Sequence, residues 1–88
     1  LWQVLPATRG GPNRARILRA LAERPRNANR LADDIDLAYN TVRHHLRVLE
    51  RNGIVRSGDE EYGTVYLPSE PTRDHWDTVE TILESLSE

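Results

Sequence analysis

The sequence predicts a mainly α-helical domain carrying one small β-hairpin. Three observations carry that reading. Apolar residues recur at helical spacing over residues 12–52, the period switches to two after Gly53, and helical spacing returns after Pro71. At 88 residues there is room for one domain. The apolar share of 38% is low for a globular chain. A core drawn from it is small, and help from a partner chain is expected.

The elements follow in order. Residues 1–11 hold Leu1, Trp2, Val4 and Leu5 before Pro6 and Gly10-Gly11, an apolar N-terminal arm closed by a breaker. Pro12 suits the first position of a helix, where its missing N–H costs nothing. Ala15, Ile17, Leu18, Leu21 and Ala22 form the stripe of that helix, which stops before Pro25. Asn27 is an N-cap for a second helix, with Ala28, Leu31, Ala32 and Ile35 at i, i+3, i+4 and i+7. Asp36 tolerates the left-handed backbone that ends a short helix. Val42, Leu46 and Leu49 then mark a longer third helix, terminated by Asn52-Gly53.

A turn of about three residues between the second and third helices is helix-turn-helix spacing. Ala32 is small where the two helices approach, and Ile35, Leu37 and Val42 are the expected buried positions around the corner. Ile54–Ser57 and Tyr62–Leu67 are β-rich and flank Gly58–Glu61, which makes residues 54–68 a hairpin. A hairpin after a helix-turn-helix is a wing. Residues 71–87 form a final helix with Trp76, Val79, Leu83 and Leu86 at spacings of 3, 4 and 3, thickened by Ile82. The expectation is one winged helix-turn-helix domain over residues 1–88, with a three-helix core at 12–53 and a C-terminal dimerisation helix. Trp2, Trp76, Val79, Ile82, Leu83 and Leu86 are the candidate dimer contacts. The alternative is that the C-terminal stripe packs on its own domain, against Trp2 and Leu5.

Charge divides the chain more sharply than its net value of −2 suggests. Residues 1–57 hold eleven arginines against five acids, a balance of +6; residues 58–88 hold Arg73 against nine acids, a balance of −8. The first portion suits a polyanion and the second a solvated or self-associating surface. Every basic residue is arginine, a side chain that favours planar, bidentate contact with phosphate or guanine. Lysine-free, acid-rich composition is also what a GC-rich, salt-adapted genome encodes. Zero cysteine excludes disulfides, thiolate metal sites and thiol nucleophiles. No apolar stretch is long enough to span a membrane and no signal-peptide pattern is present, which points to the cytoplasm. Leu1 in place of an initiator Met suggests a piece of a longer protein.

On a helical wheel, Val42, His45, Leu46 and Leu49 share one side of the third helix. Asn40, Arg43, His44, Arg47 and Arg51 fall opposite. Such a donor stripe suits a helix lying in the DNA major groove, where Arg pairs with guanine and Asn with adenine. Asn40, Thr41, Arg43 and His44, near the helix start, are the base-edge candidates, and Arg47 and Arg51 the phosphate candidates. Tyr39 either stacks on a sugar or anchors the turn. Arg14, Arg16, Arg19 and Arg30 are weaker phosphate candidates. His45 reads as partly buried and hydrogen-bonded. Against all of this stands the bland reading of a solvated polar face.

The segment "TVRHHLRVLERNGIV", Thr41 to Val55, resembles the recognition-helix signature of ArsR-type winged-helix transcriptional regulators. "RARILRAL" before it and "YGTVYLP" after it fit the same pattern. From Leu5 to Leu67 the chain is most similar to the branch abundant in halophilic archaea, through "LPATRGGPNRARIL" and "NANRLADDIDLAYNTVRHHL". The resemblance implies a dimeric, sequence-specific DNA-binding domain with recognition positions at Asn40, Thr41, Arg43, His44 and Arg47, dimerising through terminal helices. Two features depart from the family. The cysteine of its metal sensors is missing, and Asp74 and His75 are adjacent, so they diverge on a helix; no metal or cofactor is expected. The acidic wing tip, Asp59, Glu60 and Glu61, also matches phosphate poorly.

The leading functional reading is therefore a transcriptional regulator that binds double-stranded DNA as a homodimer on a pseudo-palindromic operator, its half-sites about one helical turn apart. The alternative is a winged-helix protein-interaction or dimerisation module without DNA binding, which the acidic wing favours. Enzyme function is not expected, since no nucleophile–base set, phosphate loop or metal motif is present.

Overall fold

Helix α1, Gly11–Glu23, buries Ala15, Ile17, Leu18, Ala20 and Leu21 along one stripe. Ala22, expected in that stripe, is exposed in the last turn of the helix. The computed structural model describes residues 11–60 and 63–86; the arm, including Trp2 and Leu5, lies outside the described residues. Asn27 caps α2, Ala28–Ile35, with its Oδ1 accepting from the Arg30 N–H at 2.8 Å. Such a cap is worth about 1 kcal/mol over Ala. Asp36 ends α2 in the left-handed conformation, φ 56°, and the Leu37 N–H reaches back to the Ala32 carbonyl at 3.0 Å. Three residues later α3, Tyr39–Arg51, begins. It ends at Gly53, φ 73°, where the Ile54 N–H bonds to the Leu49 carbonyl at 2.9 Å.

Strands β1, Val55–Glu60, and β2, Gly63–Pro68, pair antiparallel from Val55↔Pro68 to Glu60↔Gly63. The core lies between α1, α2 and α3, where Ile17, Leu18, Leu31, Val42, Leu46 and Leu49 are fully enclosed. Full burial of each such side chain contributes about 1.5–3 kcal/mol. Ala32 is buried in the core, while Ile35 and Leu37 are only half-buried at its edge. Among the described residues the architecture is mainly helical with one two-stranded hairpin, the winged helix-turn-helix arrangement.

The C-terminal helix differs from its expected form. Instead of one run from residue 71 there are two helices, α4, Glu70–Asp74, and α5, Trp76–Leu86, with His75 (φ −111°, ψ 32°) as the break. A hydrogen-bonded knot explains the early start. The Ser69 Oγ accepts from the Thr72 N–H and donates to the Gly53 carbonyl at 2.7 Å, and the Thr72 Oγ1 donates to the Ile54 carbonyl at 2.7 Å. Both residues are buried, so these bonds replace water and tie α4 to the α3–β1 junction.

After the break α5 packs against α1. Val79 and Leu83, read as contacts to a second chain, are fully buried in the chain's own core; Trp76 and Ile82 pack half-buried at its margin. Three short helices leave one side of a small core open, and α5 closes it. Arg19 on α1 meets Glu80 on α5 at 3.9 Å across that contact. Leu86 ends α5, but its side chain lies outside the described residues. Thr72→Val keeps the side-chain shape and removes the bond to Ile54. It is expected to cost about 1–2 kcal/mol, read as a lowered midpoint in urea unfolding with an unchanged slope.

Candidate nucleic-acid interface

Sequence periodicity divides α3 into two faces, and packing fixes which one is displayed. Val42, His45, Leu46 and Leu49 are buried. Asn40, His44, Arg47 and Arg51, spaced by 4, 3 and 4 residues, are exposed along the opposite side. At about 1.5 Å per residue this donor-bearing stripe runs most of the length of a helix about 20 Å long. Thr41 and Arg43 flank the stripe and are half-buried. Tyr39, 44% exposed, is the large apolar side chain most open to solvent among the described residues.

The arginines separate by what they touch. Arg14 is buried on α1. Arg16 donates to the Ile35 carbonyl at the end of α2. Arg24, Arg26 and Arg30 converge on Asp34 at 3.9, 2.8 and 3.5 Å. Arg14, Arg16, Arg19 and Arg30, the weaker phosphate candidates, thus all have positions or partners within the fold. On α3, by contrast, no ion pair among the described residues involves Arg43, Arg47 or Arg51. Glu50, the acid of this helix, accepts instead from the Ser57 hydroxyl at 2.6 Å. Desolvating an arginine already held by a carboxylate is costly, so the α3 cations, together with the exposed Arg56 on β1, are available to an external anion.

Arg43 is not open like Arg47. Its Nη1 donates to the Tyr66 hydroxyl on β2 at 2.9 Å. The two residues border, with Asn29, Tyr39 and Thr64, a hollow of about 220 Å³ between the starts of α2 and α3 and strand β2. Tyr66 was not among the residues picked out from the sequence. Its signal was the alternation in Tyr62-Gly63-Thr64-Val65-Tyr66, which sets Tyr66 on one sheet face without naming its partner. At the wing, Asp59 is exposed and accepts from the Thr64 hydroxyl at 3.3 Å; the side chains of Glu60 and Glu61 lie outside the described residues.

His45 departs from expectation in one respect. It is buried, yet its Nδ1 has no hydrogen-bond partner among the described residues. Burial lowers its pKa, and the neighbouring Arg14 and His44 lower it further. Asp74 and His75 straddle the end of α4, and no group of three or more His, Asp or Glu among the described residues is placed to hold a metal. No helix among them is long and apolar enough to cross a membrane.

A short-turned helix pair, an outward donor face on its second helix and a hairpin beside it define a winged helix-turn-helix domain. The chain belongs to the helix-turn-helix domain family, whose model matches residues 11–58. Three solved structures are similar to it. A Lactococcus lactis ZitR mutant shows 20% identity and a TM-score of 0.64 over 82% of this chain and 54% of that one. The transcriptional regulator BldR from Sulfolobus solfataricus shows 21% identity and a TM-score of 0.69 over 83% and 55%. Mycobacterium tuberculosis Rv0081 shows 27% identity and a TM-score of 0.69 over 85% and 77%. The chain therefore spans little more than half the length of the ZitR and BldR chains. No curated protein matches it by sequence.

The His45 environment generates a pH prediction. Its folded-state pKa lies below the unfolded value near 6.5, so the unfolded chain takes up the proton first. The neutral ring's contribution is complete above that value and is lost as pH falls through it. The stability difference between wild type and His45→Leu should therefore shift against wild type between pH 7.5 and pH 5. A difference constant across that range in urea unfolding rejects the assignment.

Proposed function

We propose that this chain is the DNA-reading part of a transcriptional regulator of the ArsR type, of the branch abundant in halophilic archaea. It binds double-stranded DNA in the cytoplasm and catalyses nothing. One observation carries the reading: Asn40, His44, Arg47 and Arg51 form an exposed stripe on the second helix of a helix-turn-helix, with its arginines unclaimed by acids of the fold. Asn40, Thr41, Arg43 and His44 read base edges, Arg47 and Arg51 hold phosphates, and Tyr39 packs on the backbone at the groove's mouth. The description of BldR as a transcriptional regulator agrees with this.

The regulator acts as a homodimer on a pseudo-palindromic operator, two copies of α3 entering successive major grooves. Val79 and Leu83 are spent inside each chain, so Trp76 and Ile82, with Trp2 and Leu86, carry the dimer contact. Support comes from the open hollow of about 290 Å³ that Trp76 borders with Leu21, Leu67 and Pro68. The second reading, a protein-interaction module, is favoured by the exposed Asp59 on the wing.

Two measurements test these readings. Against DNA selected from a random pool, Arg47→Ala with Arg51→Ala should weaken binding to all sequences and reduce the slope of log affinity on log salt by about two. Wild type that binds no DNA at any salt supports the interaction module. Sedimentation equilibrium at micromolar concentration should return twice the chain mass, and the mass of a single chain overturns the dimer.

A further inference from the structure

Tyr66 is where the wing, the α1–α2 link and α3 meet. Its N–H donates to the Arg26 carbonyl at 2.9 Å and its carbonyl accepts from the Arg26 N–H at 3.3 Å. Arg26 is itself immobilised: Nη2 donates to the Ala20 carbonyl at 2.7 Å and Nη1 to the Asp34 Oδ2 at 2.8 Å. The tyrosine is buried, 7% exposed, and its hydroxyl still reaches the Arg43 Nη1 at 2.9 Å. The position of that oxygen relative to α3 is thus set by backbone pairing between β2 and the α1–α2 link.

A guanidinium presents five N–H donors in one plane. The bond to Tyr66 uses one and restrains the plane, leaving four donors, enough for a bidentate pair. Among the described residues, Arg47 and Arg51 have no such restraint. A freely rotating arginine suits a phosphate, which accepts from many directions, whereas bidentate pairing with a base edge needs a fixed plane and loses side-chain entropy on binding unless that plane is already held.

We propose that Tyr66 is a specificity-determining positioning residue, whose hydroxyl holds the Arg43 guanidinium in the orientation that reads a base edge. The inference deepens the DNA-reading function proposed above and rests on it. It assigns the wing a part in recognition that requires no contact between the acidic hairpin tip and DNA. The strand shoulder, rather than the tip, acts, and it acts through α3.

The test is Tyr66→Phe, which keeps the ring and the pairing with Arg26; circular dichroism melting verifies that the variant folds. Without DNA, ¹⁵N NMR of wild type should show separate, slowly exchanging Nη signals for Arg43 that merge in the variant. Merged signals in wild type overturn the proposal whether or not the variant folds. With DNA, selection from a random pool should show the base preference that Arg43→Ala abolishes reduced by about tenfold in Tyr66→Phe, with other positions and the salt slope unchanged. An unchanged preference overturns the proposal. So does uniform weakening with a shallower salt slope, which makes the hydroxyl a phosphate contact, or tighter binding, which means it holds Arg43 back. Wild type that binds no DNA removes the function itself and the positioning role with it, even where the NMR clamp is present.

Discussion

Val42, Leu46 and Leu49 turn one side of α3 into the core beside Ile17, Leu18 and Leu31, and that burial determines which residues of α3 face outward. Rotating the helix by one residue, about 100°, would expose an apolar stripe and bury arginine. The donor face is therefore held by the same free energy that holds the fold. The short turn through Asp36 joins α2 to α3, and Ala32 and Leu31 of α2 are buried in the same core.

Charge balance along the chain overstates how much positive surface is free. Asp34 alone collects Arg24, Arg26 and Arg30. The exposed members of that group contribute little, about 0–1 kcal/mol each. Arg26 is different: its side chain is only 10% exposed and it also bonds to the Ala20 carbonyl. That one ion pair organises the link on which Tyr66 pairs. The arginines of the first portion are thus divided between building the fold and displaying charge. Among the described residues the exposed arginines of that portion without an ion pair or hydrogen bond in the fold are Arg47 and Arg51 on α3 and Arg56 on β1.

The low apolar content has a structural consequence in α5. A three-helix core of this size leaves apolar surface uncovered, and Val79 and Leu83 cover it from within the same chain. The faces of α5 that remain include Asp77, Thr78, Thr81 and Glu84, all exposed, with Trp76 and Ile82 at the edges. Among the described residues, the surface that α5 leaves open is therefore mixed rather than a continuous apolar seam.

Periodicity and punctuation in the sequence were sufficient for α1 to α3, the caps at Asn27, Asp36 and Gly53, the hairpin, and the two faces of α3. Each of these is a local rule, satisfied by residues within a few positions of one another. The break at His75, the inward turn of Val79 and Leu83, the His45 Nδ1 left without a partner among the described residues and the Tyr66–Arg43 bond were decided only by tertiary structure. A stripe at helical spacing states that a face is apolar and carries no information on what covers it. A tyrosine in a strand likewise does not name an arginine 23 residues away, because that pairing depends on how β2 is anchored to Arg26.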